Sequence, residues 1–398
     1  MEEMGRRDFL KTTGVITGAV ALGGISGGFP GILHAKTKSA VAIIKSDMDL
    51  GSSFAFNMEV WGDDTAKSTA APGSCGRKME CSWSPESMAE IDKMVRQACK
   101  LTGGLPVKAG DTVLVKPNVV QAPHLGYFLV DKYSTARALA TISDPRAAIA
   151  VAKMAREQGA KKVIIAESNA SNCHSFFQES GYEKAVAELK DPAVTLLYLD
   201  GTPYSMMKAK TGLALPKYAI FDIFGEVDVL VSVAPMKTHM WGGTTITMKN
   251  FIGLPANEVY GSYKSGLPHS NIADVIVDLT SIVKERIRSH FGISTAIYAG
   301  EGLGPLMVEA KQLNTIVAGP DYVAVDAVAS TIMGFDANAI GHIRKADAKG
   351  LGSMKGIEVA GTPIREVQFA AKPIPEPARQ KGGENTSWDS RLGQTLPV

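Results

Sequence analysis

Residues 228–255 bring two lysines, a histidine, an asparagine and several threonines close together. Residues 229–234 read as a buried strand that turns at Pro235 into Lys237, Thr238 and His239. Gly242 and Gly243 lead on to a short helix carrying Thr247, Lys249 and Asn250, which Gly253, Leu254 and Pro255 stop. In open α/β sheets, a strand that empties through glycines into a helix puts side chains at the carboxyl edge, where ligands bind. Ammonium groups and the unpaired N–H groups of a helix start favour an anion there. His239, or a lysine stripped of water, would move a proton for a bound carboxylate or phosphate. That makes Lys237, His239 and Lys249 the catalytic candidates. Singly, each also reads as an ordinary solvated side chain; their clustering at the end of an apolar strand is what marks a site.

Other segments offer partners. Residues 112–118 form a strand whose end presents Lys116 and Asn118 on one side, since residues two apart on an extended chain face the same way. With Thr247 and Asn250 they are candidate substrate-binding residues. Residues 300–305 read as a glycine-rich turn able to cradle an anion, with Glu301 inside it. Asp326 lies in an apolar run, where a carboxylate needs a cation or N–H groups beside it. His269 precedes a helix, and His239, His269 and a carboxylate make up an alternative reading, a metal site.

The bulk numbers narrow the partners. Of the 398 residues, 45% are hydrophobic and 21% charged, the balance of a globular protein. The formal charge of +2 comes with no polybasic run, which argues against nucleic acid as a partner. Cys75 and Cys81 are spaced for a small disulfide loop in an oxidising compartment, with a pair of metal ligands as the alternative. Cys99 and Cys173 stand apart from them.

Residues 1–35 read as an address and not as part of the fold. Arg6 and Arg7, followed by Asp8, Phe9, Leu10 and Lys11, resemble a bacterial twin-arginine export signal. The run behind them is glycine-rich and only mildly apolar, a poor permanent span. Leu33, His34 and Ala35 form a plausible cleavage site. The resemblance implies the twin-arginine export machinery as a partner, a periplasmic or otherwise exported mature protein, and transport in the folded state.

Beyond that segment, helical and extended patterns alternate. Strands are expected at 40–45, 112–118, 161–167, 194–199, 229–234, 293–299 and 313–318. Helices are expected at 87–101, 145–158 after the cap Asp144, 176–189, 272–287 and 321–333. This alternation predicts a single α/β domain over 36–372, built on a mainly parallel, Rossmann-like sheet flanked by helices. Residues 47–85 lack a sustained period and read as a long inserted loop. Residues 373–398 read as a loosely ordered tail.

Residues 231–239 together with 247–255 resemble the signature of the domain of unknown function 362 family. Lys116-Pro117-Asn118, the Asp144-Pro145 helix start, residues 300–305 and the run around Asp326 support that resemblance over roughly 40–361. It implies a fold and a site more than an activity. Many members carry an added ferredoxin-like segment; Cys75, Cys81, Cys99 and Cys173 lack that spacing, which disfavours an iron–sulfur cluster here. Over a short stretch, residues 242–255 also resemble lactate-racemase-type enzymes, which implies a Lys/His site with a nickel-bearing cofactor. A carrier or maturation protein that delivers a ligand without catalysis is the alternative from another class.

Overall fold

Ser84 opens the first long helix by accepting the N–H of Ser87, with Pro85 next to it at the first helical position. The computed structural model in which this is seen describes residues 39–58, 79–121, 134–170 and 175–374. The expected export segment, Cys75, Cys173 and the tail beyond residue 374 lie outside them.

The first strand is β1 (Ala40–Lys45). β2 (Phe54–Met58) and β3 (Met79–Trp83) pair antiparallel, so the two ends of the span expected to be a loop meet in a ladder. α1 (Pro85–Leu101) buries Ile91, Met94, Val95 and Ala98 on one stripe, and the wholly buried β4 (Thr112–Lys116) follows. α2 (Thr135–Thr141) precedes α3 (Pro145–Glu157), whose cap Asp144 accepts the N–H of Arg146, as the sequence leads one to expect. After β5 (Lys162–Glu167), the helix expected at 176–189 is two: α4 (Phe176–Glu179) and α5 (Tyr182–Leu189). Gly181 breaks it at φ 84°, a conformation that glycine adopts without strain. β6 (Val194–Tyr198) and the hairpin β7 (Tyr204–Lys208) with β8 (Lys217–Phe221) complete the first half.

The second half begins with β9 (Val229–His239), β10 (Gly243–Thr245) and α6 (Asn257–Tyr260). α7 (Ile272–Arg286), β11 (Ser289–Leu303) and β12 (Met307–Gly319) come next. α8 (Tyr322–Ile332), α9 (Gly341–Ala348) and β13 (Glu358–Gly361) end the succession. Apart from the separate pairs β2–β3 and β7–β8, the strands form one sheet in the order β13-β1-β12-β11-β9-β4-β5-β6, with β10 alongside β9. From β11 through β9, β4 and β5 to β6 every pairing is parallel. Only β12 and β10 run against their neighbours. One apolar layer packs α1 and α3 on the sheet, the other α7, α8 and α9. This is the expected Rossmann-like α/β architecture, its central strands buried on both faces. Among the described residues no helix is long and apolar enough to cross a membrane.

The path of the chain makes a ligand crevice. From β4 it moves outward to β5 and β6, then returns to lay β9 on the other side of β4. Such a reversal opens a gap at the carboxyl ends of the two strands. β4 pairs with β9 only as far as Ser232, and β10 pairs with β9 from Lys237 onward. Pro235 therefore does not end the strand. It sits between the β4 and β10 pairings on one side of β9, stays in register with Thr295 of β11 on the other, and β9 runs on to His239.

The glycine-rich run at 300–305 also differs from expectation. Gly300 to Leu303 are the end of β11, paired with β12, and not an anion-cradling turn. The glycines serve close packing. A Cβ on Gly300 would come within 2.8 Å of the Lys237 Cβ, and one on Gly304 would meet the Thr238 carbonyl oxygen at 1.9 Å.

Candidate functional site

The crevice at the ends of β4 and β5 holds a cavity of about 60 Å³, room for a few waters or a small acid. Lys116 and Asn118 line it from the end of β4, Glu167 and Ser168 from the end of β5. Lys249 and Asn250 reach it from the 3-10 turn Lys249–Gly253, and Lys264 from an irregular segment beyond α6. Three lysines thus face one carboxylate.

Asn250 ties the two strand ends together. Its Nδ2 donates to the Lys116 carbonyl at 2.9 Å and to Ser232 Oγ at 3.1 Å. Its Oδ1 accepts from Asn118 Nδ2 at 3.1 Å and Lys116 Nζ at 3.4 Å. Asn118 Oδ1 is buried and meets no donor among the described residues. Lys116 and Glu167 are both buried, and Lys116 Nζ donates to Glu167 Oε1 at 2.5 Å and to the Pro117 carbonyl at 2.8 Å. Glu167 also accepts the N–H groups of Val119 at 2.9 Å and Ser168 at 2.8 Å. Burial lowers the Lys116 pKa and raises that of Glu167, while their contact acts in the opposite direction on each. Gly253 lets the turn approach this pair, since a Cβ there would come within 2.7 Å of Lys116 Nζ.

Lys264 Nζ donates to Ser168 Oγ at 2.8 Å and to the Pro255 carbonyl, and burial lowers its pKa to about 8. Lys249 differs from both. Only 8% exposed, it makes no hydrogen bond or ion pair among the described residues. Burial alone lowers its pKa to about 7. The segment that carries it is anchored from below by Asp326, which accepts the N–H groups of Thr247 at 2.9 Å and Met248 at 3.0 Å and the Thr247 hydroxyl. Burial raises the Asp326 pKa to about 7. Asp326 and Thr247 therefore position the turn and do not line the cavity.

The remaining expected residues fall elsewhere. Lys237 is fully buried and donates to the Thr141 carbonyl at the end of α2, where a helix terminus favours a cation. Burial and the nearby Lys249 charge push its pKa well down. Glu301 lies on β11 and accepts the Lys372 N–H at 2.9 Å, away from the cavity. His239 is buried at the β9–β10 turn, where its Nδ1 accepts the N–H groups of Trp241 at 3.1 Å and Gly242 at 3.2 Å. Burial and the charges of Lys249 and Lys237 push its pKa well below the usual histidine value, and with Nδ1 accepting, Nε2 is the nitrogen placed to carry the proton.

His269 Nδ1 lies 2.9 Å from the Leu267 carbonyl, and the rings of His239 and His269 both lie against Trp241. Among the described residues no three His, Cys, Asp or Glu side chains are grouped to hold a metal ion. Cys81 is a buried free thiol that donates to the Glu179 carbonyl; Cys75, its expected partner, lies outside the described residues.

Sequence reasoning missed Glu167, Ser168 and Lys264 as cavity residues. Parallel pairing of Val115 with Ile165 puts the ends of β4 and β5 side by side. A lysine and a glutamate at two successive strand ends are the signal that could have found Glu167. Lys264 follows a loop with positive φ at Tyr263 and Lys264 and carries no such signal.

The chain is 23% identical over 247 residues to the thylakoid-associated protein sll1697 of Synechocystis sp., covering 62% of this chain and 70% of that protein. A crystal structure of a protein from Thermotoga maritima aligns with a TM-score of 0.34 at 12% identity, over 59% of this chain and 56% of that one. The family described as "Domain of unknown function (DUF362)" matches residues 113–331, which include the ends of β4 and β5, the Lys249 turn and Asp326. Matched over more than half its length, the chain belongs to the DUF362 family.

Proposed function

We propose that this protein is an exported enzyme that binds a small anionic organic compound in the cavity at the ends of β4 and β5 and moves a proton on it with Lys249. The observation that carries the reading is the buried Lys249 ammonium at the cavity wall, which has no partner among the described residues. A buried charge without a partner is expensive, and a bound carboxylate or phosphate supplies the missing one. Glu167 offsets Lys116, which leaves Lys249 and Lys264 as the attracting charges. A pKa of about 7 populates both forms of Lys249 near neutrality, as an acid–base group requires. His239, with Nδ1 engaged by two N–H groups, suits hydrogen-bond donation better than proton abstraction.

The test is proton exchange at the carbon beside the carboxylate of a hydroxy acid, or beside the carbonyl of an oxo acid. In deuterated water, small hydroxy and oxo acids incubated with the mature chain should include at least one that gains deuterium, followed by NMR. Lys249→Met should lose that exchange. Binding without exchange on any acid would contradict the enzyme and favour a carrier using the same cavity.

The export half of the proposal rests on Arg6 and Arg7. Replacing both with lysine should leave the protein in the cytoplasm at precursor size, read by fractionation and blotting. Normal processing of the variant would contradict it.

A further inference from the structure

We infer that Lys249 is an imine-forming lysine and that the compound bound beside it is a small oxo acid, a carboxylate with a neighbouring carbonyl. The inference rests on the reading of the cavity as an anion site and adds the chemistry of the bound group.

The three cavity lysines are not equivalent. Lys116 directs its ammonium to Glu167, the Pro117 carbonyl and Asn250, and Lys264 directs its own to Ser168 and the Pro255 carbonyl. Among the described residues Lys249 meets no acceptor, so nothing holds its nitrogen in the protonated, non-nucleophilic form. Its stem lies along the backbone of Gly242, where an added Cβ would come within 3.1 Å of Lys249 Cε and 3.3 Å of Cδ. A desolvated lysine in a closed pocket is the usual setting of an amine nucleophile. Its lowered pKa agrees with that setting.

The cavity also meets the other needs of the reaction. The Lys264 ammonium faces the same space and would hold the carboxylate. Asn118 Oδ1, buried and without a donor, would accept a hydrogen bond from a hydroxyl. In the step proposed, the neutral Lys249 amine attacks the carbonyl carbon. A proton passes from nitrogen to oxygen, giving a carbinolamine whose hydroxyl faces Asn118. The C–O bond then breaks, water leaves, and a C=N bond joins Lys249 to the former carbonyl carbon. No oxidant or reductant is consumed. The imine draws electron density from the adjacent carbon and would ease removal of its proton, the exchange expected above.

The experiment traps the imine in the mature chain. Pyruvate is added, then sodium borohydride, whose hydride reduces C=N to a stable secondary amine. Intact mass and peptide mapping follow. A single adduct on Lys249, missing from samples without pyruvate and from Lys249→Arg, is the expected result. Binding of lactate, which has no carbonyl, is measured in parallel. Lactate binding with no Lys249 adduct, or with adducts scattered over surface lysines, would overturn the imine and leave the anion site standing. Loss of both would overturn the anion site as well.

Discussion

Truncating Glu167 to alanine should lower folding stability by about 3–5 kcal/mol, the usual consequence of removing one partner of a buried ion pair. Lys116 would keep an ammonium in the interior with only the Pro117 carbonyl and Asn250 to meet it. The N–H groups of Val119 and Ser168 would lose their shared acceptor. Each such orphan adds about 1–3 kcal/mol of desolvation that is no longer offset. Urea denaturation should show the midpoint falling steeply. Pairing Glu167→Gln with Lys116→Met should recover much of the loss, because the buried charge goes with its partner. A drop under about 1 kcal/mol for Glu167→Ala would show the pair to be solvated, contrary to the packing described.

The second expectation concerns pH. Burial lowers the Lys249 pKa from 10.5 to about 7. A depressed basic group binds fewer protons in the folded than in the unfolded chain. Its contribution to stability is therefore present above 10.5 and lost as pH falls through about 7. An anion beside the ammonium reverses that preference and raises the pKa again, so binding takes up a proton above neutrality. The affinity for a monocarboxylate such as lactate should then fall by up to about tenfold per pH unit above 7. The heat of binding should depend on the ionisation enthalpy of the buffer. In Lys249→Met both dependences should vanish. A pH-independent affinity in the wild type would place the anion away from Lys249.

How much of this was legible in the sequence differs from one residue to the next. Lys116, Asn118, Lys249 and Asn250, which line one cavity, were readable as neighbours because strand ends and glycine-led turns announce themselves. The parallel sheet then brings them to one edge. Lys237 was read as a catalytic candidate, not as a partner for the end of α2, since Thr141 lies far off in sequence. Glu301 was misread for a physical reason. Glycines usually signal a turn, but here they thin the backbone so that β11 can pass beside Lys237. Pro235 was misread as a strand end because a proline interrupts a ladder only where a neighbour would use its N–H; it falls between the β4 and β10 pairings while β11 stays in register beside it. Asp326 was expected to find N–H groups or a cation, and it finds the N–H groups of Thr247 and Met248.

Titration calorimetry of lactate and of inorganic phosphate at pH 7 tests the central claim most directly, on the wild type, Lys249→Met and Lys237→Met. Lys237 and Lys249 are both buried lysines near one another, but only Lys249 lines the cavity. The account predicts that at least one of the two anions binds the wild type and Lys237→Met, and that Lys249→Met binds neither. Equal binding by Lys249→Met, or no binding by the wild type, would contradict it.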